Sequence, residues 1–293
     1  MSELPEVETI RRGLERLVVG KEVSEVKVLN AKSFRGSEGD LQACLVGARV
    51  TAVRRRAKVL IIDLNSDYSL VAHLKMTGQM VFRGDEDWAA GHPTGSFVAN
   101  LPDNSTRMIF YLDDGSKLFY NDQRKFGWVR VLPTFEVDDI EFLKKLGPEP
   151  LTGDPKLPQI FLQNIHRHGG TTVKAAILNQ TVVAGIGNIY ADESLWMAKV
   201  HPATRVRDLS DAKLKKVLEA AIDVMTRSIE SGGSTMKDYV RADGTKGNYL
   251  EKFANVFRRE GQPCPRCGTV IEKIRVAGRG THFCPYCQKL PKV

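Results

Sequence analysis

A chain of 293 residues with 42% hydrophobic side chains is long enough for two domains and apolar enough for packed cores, which excludes wholesale disorder. No apolar run approaches the roughly eighteen residues of a membrane-spanning helix, and the acidic start with Glu3, Glu6 and Glu8 lacks the pattern of a secretion signal, so a cytoplasmic protein is expected. The net charge of +8 favours a polyanionic partner, because Lys and Arg release counterions when they neutralise phosphates; residues 251–293 concentrate it, with nine Lys or Arg against three Glu.

In chain order, Val7, Ile10, Leu14 and Leu17 behind Pro5 predict a helix over 5–18 with one buried stripe. From about 22 to 132 the texture is that of strands, for example 23–28, 59–64, 69–74, 108–112 and 117–120. Asp113-Asp-Gly-Ser116 reads as the turn of a hairpin. Strands at this spacing predict an antiparallel β-sandwich or barrel. After Pro133 helices are expected over 136–146, 156–166, 172–180, 188–198 and 210–231, the last with a clear stripe from Leu214 to Met225. Gly232-Gly233 stops it, and the polar stretch to about Asn248 reads as mobile. The expected class is multi-domain α+β, divided as 1–133, 134–250 and 251–293.

Four of the five cysteines form two CxxC pairs, Cys264/Cys267 and Cys284/Cys287, sixteen residues apart. That spacing places four thiolates around one structural Zn²⁺ and leaves no open position for water. The lone Cys44 reads as a small buried apolar side chain. Between the pairs, 269–276 and Gly278-Arg279-Gly280 predict a β-hairpin with Arg279 at its tip. Arg266, Lys273, Arg275 and Arg279 more than offset the −2 charge of a zinc tetrathiolate. They read either as a solvated charged surface or as a finger that contacts phosphate.

The run Glu3-Leu-Pro-Glu-Val-Glu-Thr9 puts carboxylates near a helix N-terminus, where the dipole favours them whatever else they do. It also resembles the N-terminus of the formamidopyrimidine-DNA glycosylases. Further blocks follow in that family's order: Arg54–Lys58, His73–Met76, Asp122–Gly127, Leu146–Pro150, Val183–Glu193, Gly232–Thr235 and Ala277–Phe283 within the cysteine module. Leu4 resembles this branch and not the related endonuclease VIII branch, where Gly is usual.

The resemblance implies a β-rich domain, a helix-two-turns-helix domain and a zinc finger acting on duplex DNA as a monomer. It further implies base-excision repair, in which an oxidised purine such as 8-oxoguanine is turned out of the helix and removed. The N-terminal amine forms a Schiff base at the sugar C1′, and β,δ-elimination then cuts the strand. By position, Glu3 acts on the sugar ring and Glu6 supports the amine. Lys58 contacts phosphate and assists the first elimination, while Arg279 clamps phosphate and assists the second. Asn188, after Gly185 and Gly187, contacts backbone, as does His92. Met76, Arg124 and Phe126 fill the gap left by the everted base.

One departure matters most: Ser2 stands where the family has proline as nucleophile. With Met1 removed, the primary amine of Ser2 attacks instead, through an imine that needs a proton. With Met1 retained, the amine is displaced by roughly 3.8 Å and productive geometry fails. In a third reading the change traps a complex that an ordinary enzyme would process. The alternatives to an enzyme are therefore a lesion-binding protein on the same fold and a zinc-ribbon transcription or RNA-binding protein. The latter leaves Glu3, Lys58 and Asn188 without a role. Arg167-His-Gly-Gly170 also carries fewer lysines than the family's pattern.

Overall fold

The computed structural model describes residues 2–36, 38–92, 94–97, 99–232 and 254–291. It divides into two compact units, the first built on residues up to Lys144 and the second on Lys145–Glu230 with the C-terminal segment.

The first unit opens with α1 (Leu4–Val18), which starts on Pro5 in its first turn and buries Val7, Ile10, Leu14 and Leu17 along one face. Among the described residues nine strands follow: β1 (Val23–Val28), β2 (Val50–Arg56), β3 (Val59–Leu64), β4 (Tyr68–His73), β5 (Gly78–Arg83), β6 (Trp88–Gly91), β7 (Thr106–Leu112), β8 (Lys117–Asp122) and β9 (Trp128–Pro133). They form two antiparallel sheets, ordered β1-β7-β8-β5-β6 and β2-β3-β4-β9. One core joins them: Val26, Met80, Met108 and Tyr120 from the first sheet meet Leu60, Ile62, Leu70 and Val129 from the second and the stripe of α1. Each such aliphatic side chain contributes about 1.5–3 kcal/mol by leaving water. The expected sandwich with a leading helix is therefore present.

Two local readings need correction. A helix, α2 (Glu38–Leu45), interrupts the strand-rich region; among its described side chains it buries Leu41 and Leu45 on a four-residue spacing, too little to betray a helix in the sequence. The single helix expected over 136–146 is a 3-10 turn, Thr134–Asp139, followed by the short α3 (Glu141–Lys144). Ile140 separates them because it turns extended (φ −57°, ψ 120°) and buries its side chain.

The second unit contains α4 (Leu157–His166), α5 (Val173–Leu178), α6 (Asn188–Met197) and α7 (Asp211–Glu230). The hydroxyls of Tyr190 and Ser228 share a 2.6 Å hydrogen bond that ties α6 to α7. Thr172 caps α5 by accepting from the Ala175 amide, which is why that helix starts one residue later than the pattern suggests. Strands β10 (Glu272–Val276) and β11 (Arg279–Phe283) form the expected hairpin. Arg279 pairs with Val276, so the tip is Ala277-Gly278, with φ of 49° and 75°, and Arg279 is the first paired residue beyond it. The hairpin module is seated by the buried carboxylate of Glu193, which accepts from the backbone amides of Asn255, Val256 and Phe257 at 2.9–3.0 Å. Burial raises the Glu193 pKa even against these donors. The segment 234–249, expected to be mobile and to cover the damaged base, lies outside the described residues.

Candidate functional site

The first unit gathers the N-terminal candidates. Glu3 is the N-cap of α1 and Glu6 its third residue, in a capping box whose Glu6 carboxylate accepts from the Glu3 amide at 2.8 Å. Ser2, Glu3 and Glu6 are all buried, at 4%, 1% and 6% exposure. The Ser2 backbone nitrogen donates to the Lys75 carbonyl at 2.8 Å, and Ser2 Oγ has no hydrogen-bond partner among the described residues. Lys75 is held in the left-handed region (φ 51°), and its amide donates to His73 Nδ1 at 3.1 Å.

Lys58 is buried in the two-residue turn between β2 and β3, where Ala57 has φ 51°. Burial, then the charges of Lys75, Lys58 and Arg35, depress the His73 pKa to about 3, so its ring is neutral near pH 7. Lys75 is also lowered, by burial and then by Arg35. Arg35 stacks on the Trp128 ring at 4.5 Å. Such a concentration of cations around one neutral imidazole suits an anionic ligand.

Met76, Arg124 and Phe126, 48 to 50 residues apart at the extremes in sequence, meet at the surface. Arg124 Nη1 donates to Met76 Sδ at 3.1 Å, and its guanidinium lies 4.7 Å over the Phe126 ring. Met76 (38%) and Phe126 (54%) are among the exposed large apolar side chains. Asp122, fully buried, pins both loops: its carboxylate accepts from the Thr77 hydroxyl, the Arg124 amide (3.2 Å) and the Gly127 amide (2.7 Å). The Thr77 hydroxyl in turn accepts from the Arg124 amide at 3.0 Å. An apolar pair with a cation stacked on it has the chemistry of a wedge for a base stack. His92 lies at the base of the first loop, with its amide donating to the Gly78 carbonyl at 3.1 Å.

In the second unit, Asn188 opens α6, and its Nδ2 donates to the Gly280 carbonyl at 3.0 Å. Asn188 and the exposed Arg279 are thus brought within one residue of each other. The same carbonyl accepts from Lys174 Nζ at 3.3 Å. Lys174 is wholly buried and also donates to Asp192 at 2.6 Å and Thr281 Oγ1 at 2.7 Å. Asp192 Oδ2 accepts from the His282 amide at 2.9 Å. The network locks α5, α6 and β11 together beneath Arg279.

The sulfurs of Cys264, Cys267, Cys284 and Cys287 lie within 4.8 Å of one another. Cys267 Sγ is 3.5 Å from both Cys284 Sγ and Cys287 Sγ. The Trp196 indole donates to Cys264 Sγ at 3.4 Å, and Arg266 stacks on the same indole at 3.9 Å. The cluster can coordinate a metal. Sequence reasoning did not single out His73, Asp122, Lys174 or Asp192. All lie inside the motif blocks or beside them, but nothing in a linear sequence tells a buried ion pair from a surface one.

Family profiles match three stretches: the formamidopyrimidine-DNA glycosylase N-terminal domain over residues 1–129, the H2TH domain of the same enzymes over 146–240, and the zinc finger found in FPG and IleRS over 261–290. The formamidopyrimidine-DNA glycosylase of Streptococcus thermophilus is 41% identical over 293 residues, covering 99% of this chain and 100% of the relative. That of Pediococcus pentosaceus is 41% identical over 290 residues with the same coverage. Among solved structures, Lactococcus lactis Fpg in complex with DNA containing an abasic site superposes with a TM-score of 0.86 at 33% identity, covering 98% of this chain and 99% of that one. MutM in complex with DNA containing carbocyclic 8-oxo-G gives 0.84 at 33% identity, with the same coverage.

Proposed function

The chain belongs to the formamidopyrimidine-DNA glycosylase family, and from that premise we propose that it excises oxidised purines from duplex DNA and cuts the strand at the abasic sugar. The observation that carries the reading is the N-terminal arrangement. The Ser2 nitrogen is fixed 2.8 Å from the Lys75 carbonyl, its chain neighbours Glu3 and Glu6 are buried, and Lys58 and Lys75 bear on the adjoining His73. Related structures hold DNA with an abasic site, Fapy-dG or carbocyclic 8-oxo-G, which supports oxidised purines as the substrate class.

In this mechanism the lesion base leaves the stack. Met76 and Phe126 occupy the gap, and Arg124 offers hydrogen bonds to the orphaned partner base. Once Met1 is removed, the Ser2 amine attacks C1′ while Glu3 protonates the sugar ring oxygen and Glu6 orders the N-terminus. Lys58, His92 and Asn188 contact phosphates. Lys58 assists the first elimination, and Arg279 clamps the phosphate that leaves in the second. Chemistry at Ser2 differs from that of a proline enzyme in one respect: the Ser2 imine must be protonated, whereas a proline adduct is a cation from the start.

The four cysteines would hold one structural Zn²⁺. Zn–S bonds of about 2.3 Å give tetrahedral edges near 3.8 Å, a length bracketed by the 3.5 Å of two sulfur pairs and the 4.8 Å within which all four sulfurs lie. The ion would supply folding energy to the module and leave no position for catalysis. We divide the chain functionally as 1–133, 134–250 and 251–293, a division supported by the three profile matches. The chain would act as a monomer on duplex DNA, the partner held in the related structures, and its bacterial relatives support the bacterial cytoplasm as the place.

Ser2 itself favours a second reading, a lesion-binding protein on the same fold that does not cut. Borohydride treatment with duplex DNA containing 8-oxoguanine separates the two. A covalent adduct with incised strand supports the enzyme; tight binding with neither supports the binder.

A further inference from the structure

Ser2 carries two heteroatoms into one buried position. Its nitrogen is engaged by the Lys75 carbonyl, while its hydroxyl oxygen is buried without a hydrogen-bond partner among the described residues. Unsatisfied buried polar atoms are uncommon in folded proteins and call for a use. An amine and a hydroxyl on adjacent carbons form a 1,2-amino alcohol, and such groups condense with aldehydes to five-membered rings. The ring-opened abasic sugar presents an aldehyde at C1′.

We propose that Ser2 closes an oxazolidine on C1′, so that the chain holds abasic sites as a reversible covalent complex and releases them slowly. The inference rests on the reading of the Ser2 amine as nucleophile. The amine first condenses with the C1′ aldehyde, forming C1′=N and releasing water. Oγ then adds to C1′: the C–O bond forms, the π electrons of C=N pass to nitrogen, and the hydroxyl proton follows them. Nothing is oxidised or reduced. The ring contains Oγ, Cβ, Cα, N and C1′ and needs only rotation about the Ser2 side-chain bond.

One feature of the fold favours this closed form. The ring nitrogen keeps one hydrogen, which the Lys75 carbonyl, 2.8 Å from the Ser2 backbone nitrogen, is placed to accept; a neutral imine has none to offer. While the ring is closed, C1′ is saturated and no longer an electron sink, so elimination at C2′ waits until it reopens. The product is a shielded strand, not an immediate nick.

The test uses the full-length protein, with Met1 removal verified by intact mass, and duplex DNA carrying an abasic site labelled with ¹³C at C1′. Ser2→Ala keeps a primary amine and loses the hydroxyl, and no hydrogen bond among the described residues is lost with it. The expected result is a C1′ resonance in the saturated N,O-acetal range for the Ser2 chain and in the imine range for Ser2→Ala. Borohydride trapping and strand cleavage should both be at least about tenfold slower for Ser2 than for Ser2→Ala, equivalent to about 1.4 kcal/mol of ground-state stabilisation. Equal rates, with C1′ in the imine range for both, would overturn the oxazolidine and leave the amine reading standing. No adduct from either, with Ser2→Pro trapped normally, would sink the amine reading and the ring with it.

Discussion

Removing the Asp122 carboxylate should loosen the cluster of Met76, Arg124 and Phe126, which we propose as the wedge. Asp122→Ala strips the acceptor from the buried Gly127 amide, from the Thr77 hydroxyl and from the Arg124 amide. The Gly127 amide is left with no water to turn to, at about 1–3 kcal/mol, and the hydroxyl adds about 1 kcal/mol. The Arg124 amide costs little, because it retains the Thr77 oxygen at 3.0 Å. The total is about 3 kcal/mol, or a fall of about 1 M or more in the urea midpoint. Asp122→Asn keeps one acceptor for Gly127, so it should lose less than half as much. Both variants should weaken binding to duplex DNA with an abasic-site analogue, since Met76, Arg124 and Phe126 then lack a fixed base. Equal and small midpoint shifts for Ala and Asn, with binding unchanged, would refute the claim that Asp122 organises this cluster.

Three further outcomes follow from the geometry. His73 is neutral when folded (pKa about 3) but takes a proton at about 6.5 when unfolded, so the unfolded state binds more protons between those values. Stability should therefore rise with pH through that window, by about 2 kcal/mol from pH 4 to pH 6 after allowance for partial exposure; His73→Gln should flatten the dependence in urea titrations, and an unchanged slope would discount the ring. Arg279→Ala should lower the slope of log affinity against log salt by about one unit, and no change would remove Arg279 from the phosphate contacts. Stripping metal with a chelator should alter Trp196 fluorescence and reduce DNA affinity, because Trp196 lies 3.4 Å from Cys264 Sγ and under Arg266. An unmoved emission spectrum would mean that the cysteine cage stands without metal.

Much of the fold was legible where one residue pattern dominated. Strands 23–28 and 59–64 emerge with the boundaries the sequence suggests, because alternation or an apolar run was bounded by turn residues. The helix over 136–146 was misjudged, since no periodicity rule registers that Ile140 leaves the helical conformation and is buried there. The cysteine cage was readable from spacing alone because chelate geometry is local. The convergence of Met76 with Arg124 and Phe126 was suggested by resemblance only. Its physical cause, the Asp122 staple, needs the register of β5 on β8, in which Gly78 pairs with Asp122. Arg279 was placed at the hairpin tip on the strength of its flanking glycines. The left-handed Ala277 starts the turn, which becomes Ala277-Gly278 and leaves Arg279 one residue past it, an arrangement uncommon enough for alanine to defeat a rule built on glycine.

The ion pair of Lys174 with Asp192 is the least economical feature of the second unit, and its placement explains why it persists. Both side chains are fully buried, and desolvating two charges often cancels their attraction, so stability alone does not account for the pair. What it does accomplish is positional. Lys174 grips Gly280 and Thr281, Asp192 grips His282, and Asn188 reaches the same Gly280 carbonyl, so the strand that starts at Arg279 is held at successive residues. Lys174→Met alone should cost about 3 kcal/mol, because Asp192 is left buried with only His282 beside its carboxylate. Lys174→Met with Asp192→Asn removes both charges and should recover most of that loss in urea unfolding. Affinity for abasic-site DNA should stay low in the double variant, since Gly280 and Thr281 lose their anchor and Arg279 its fixed aim. If the double variant recovers affinity together with stability, the pair is packing and not positioning.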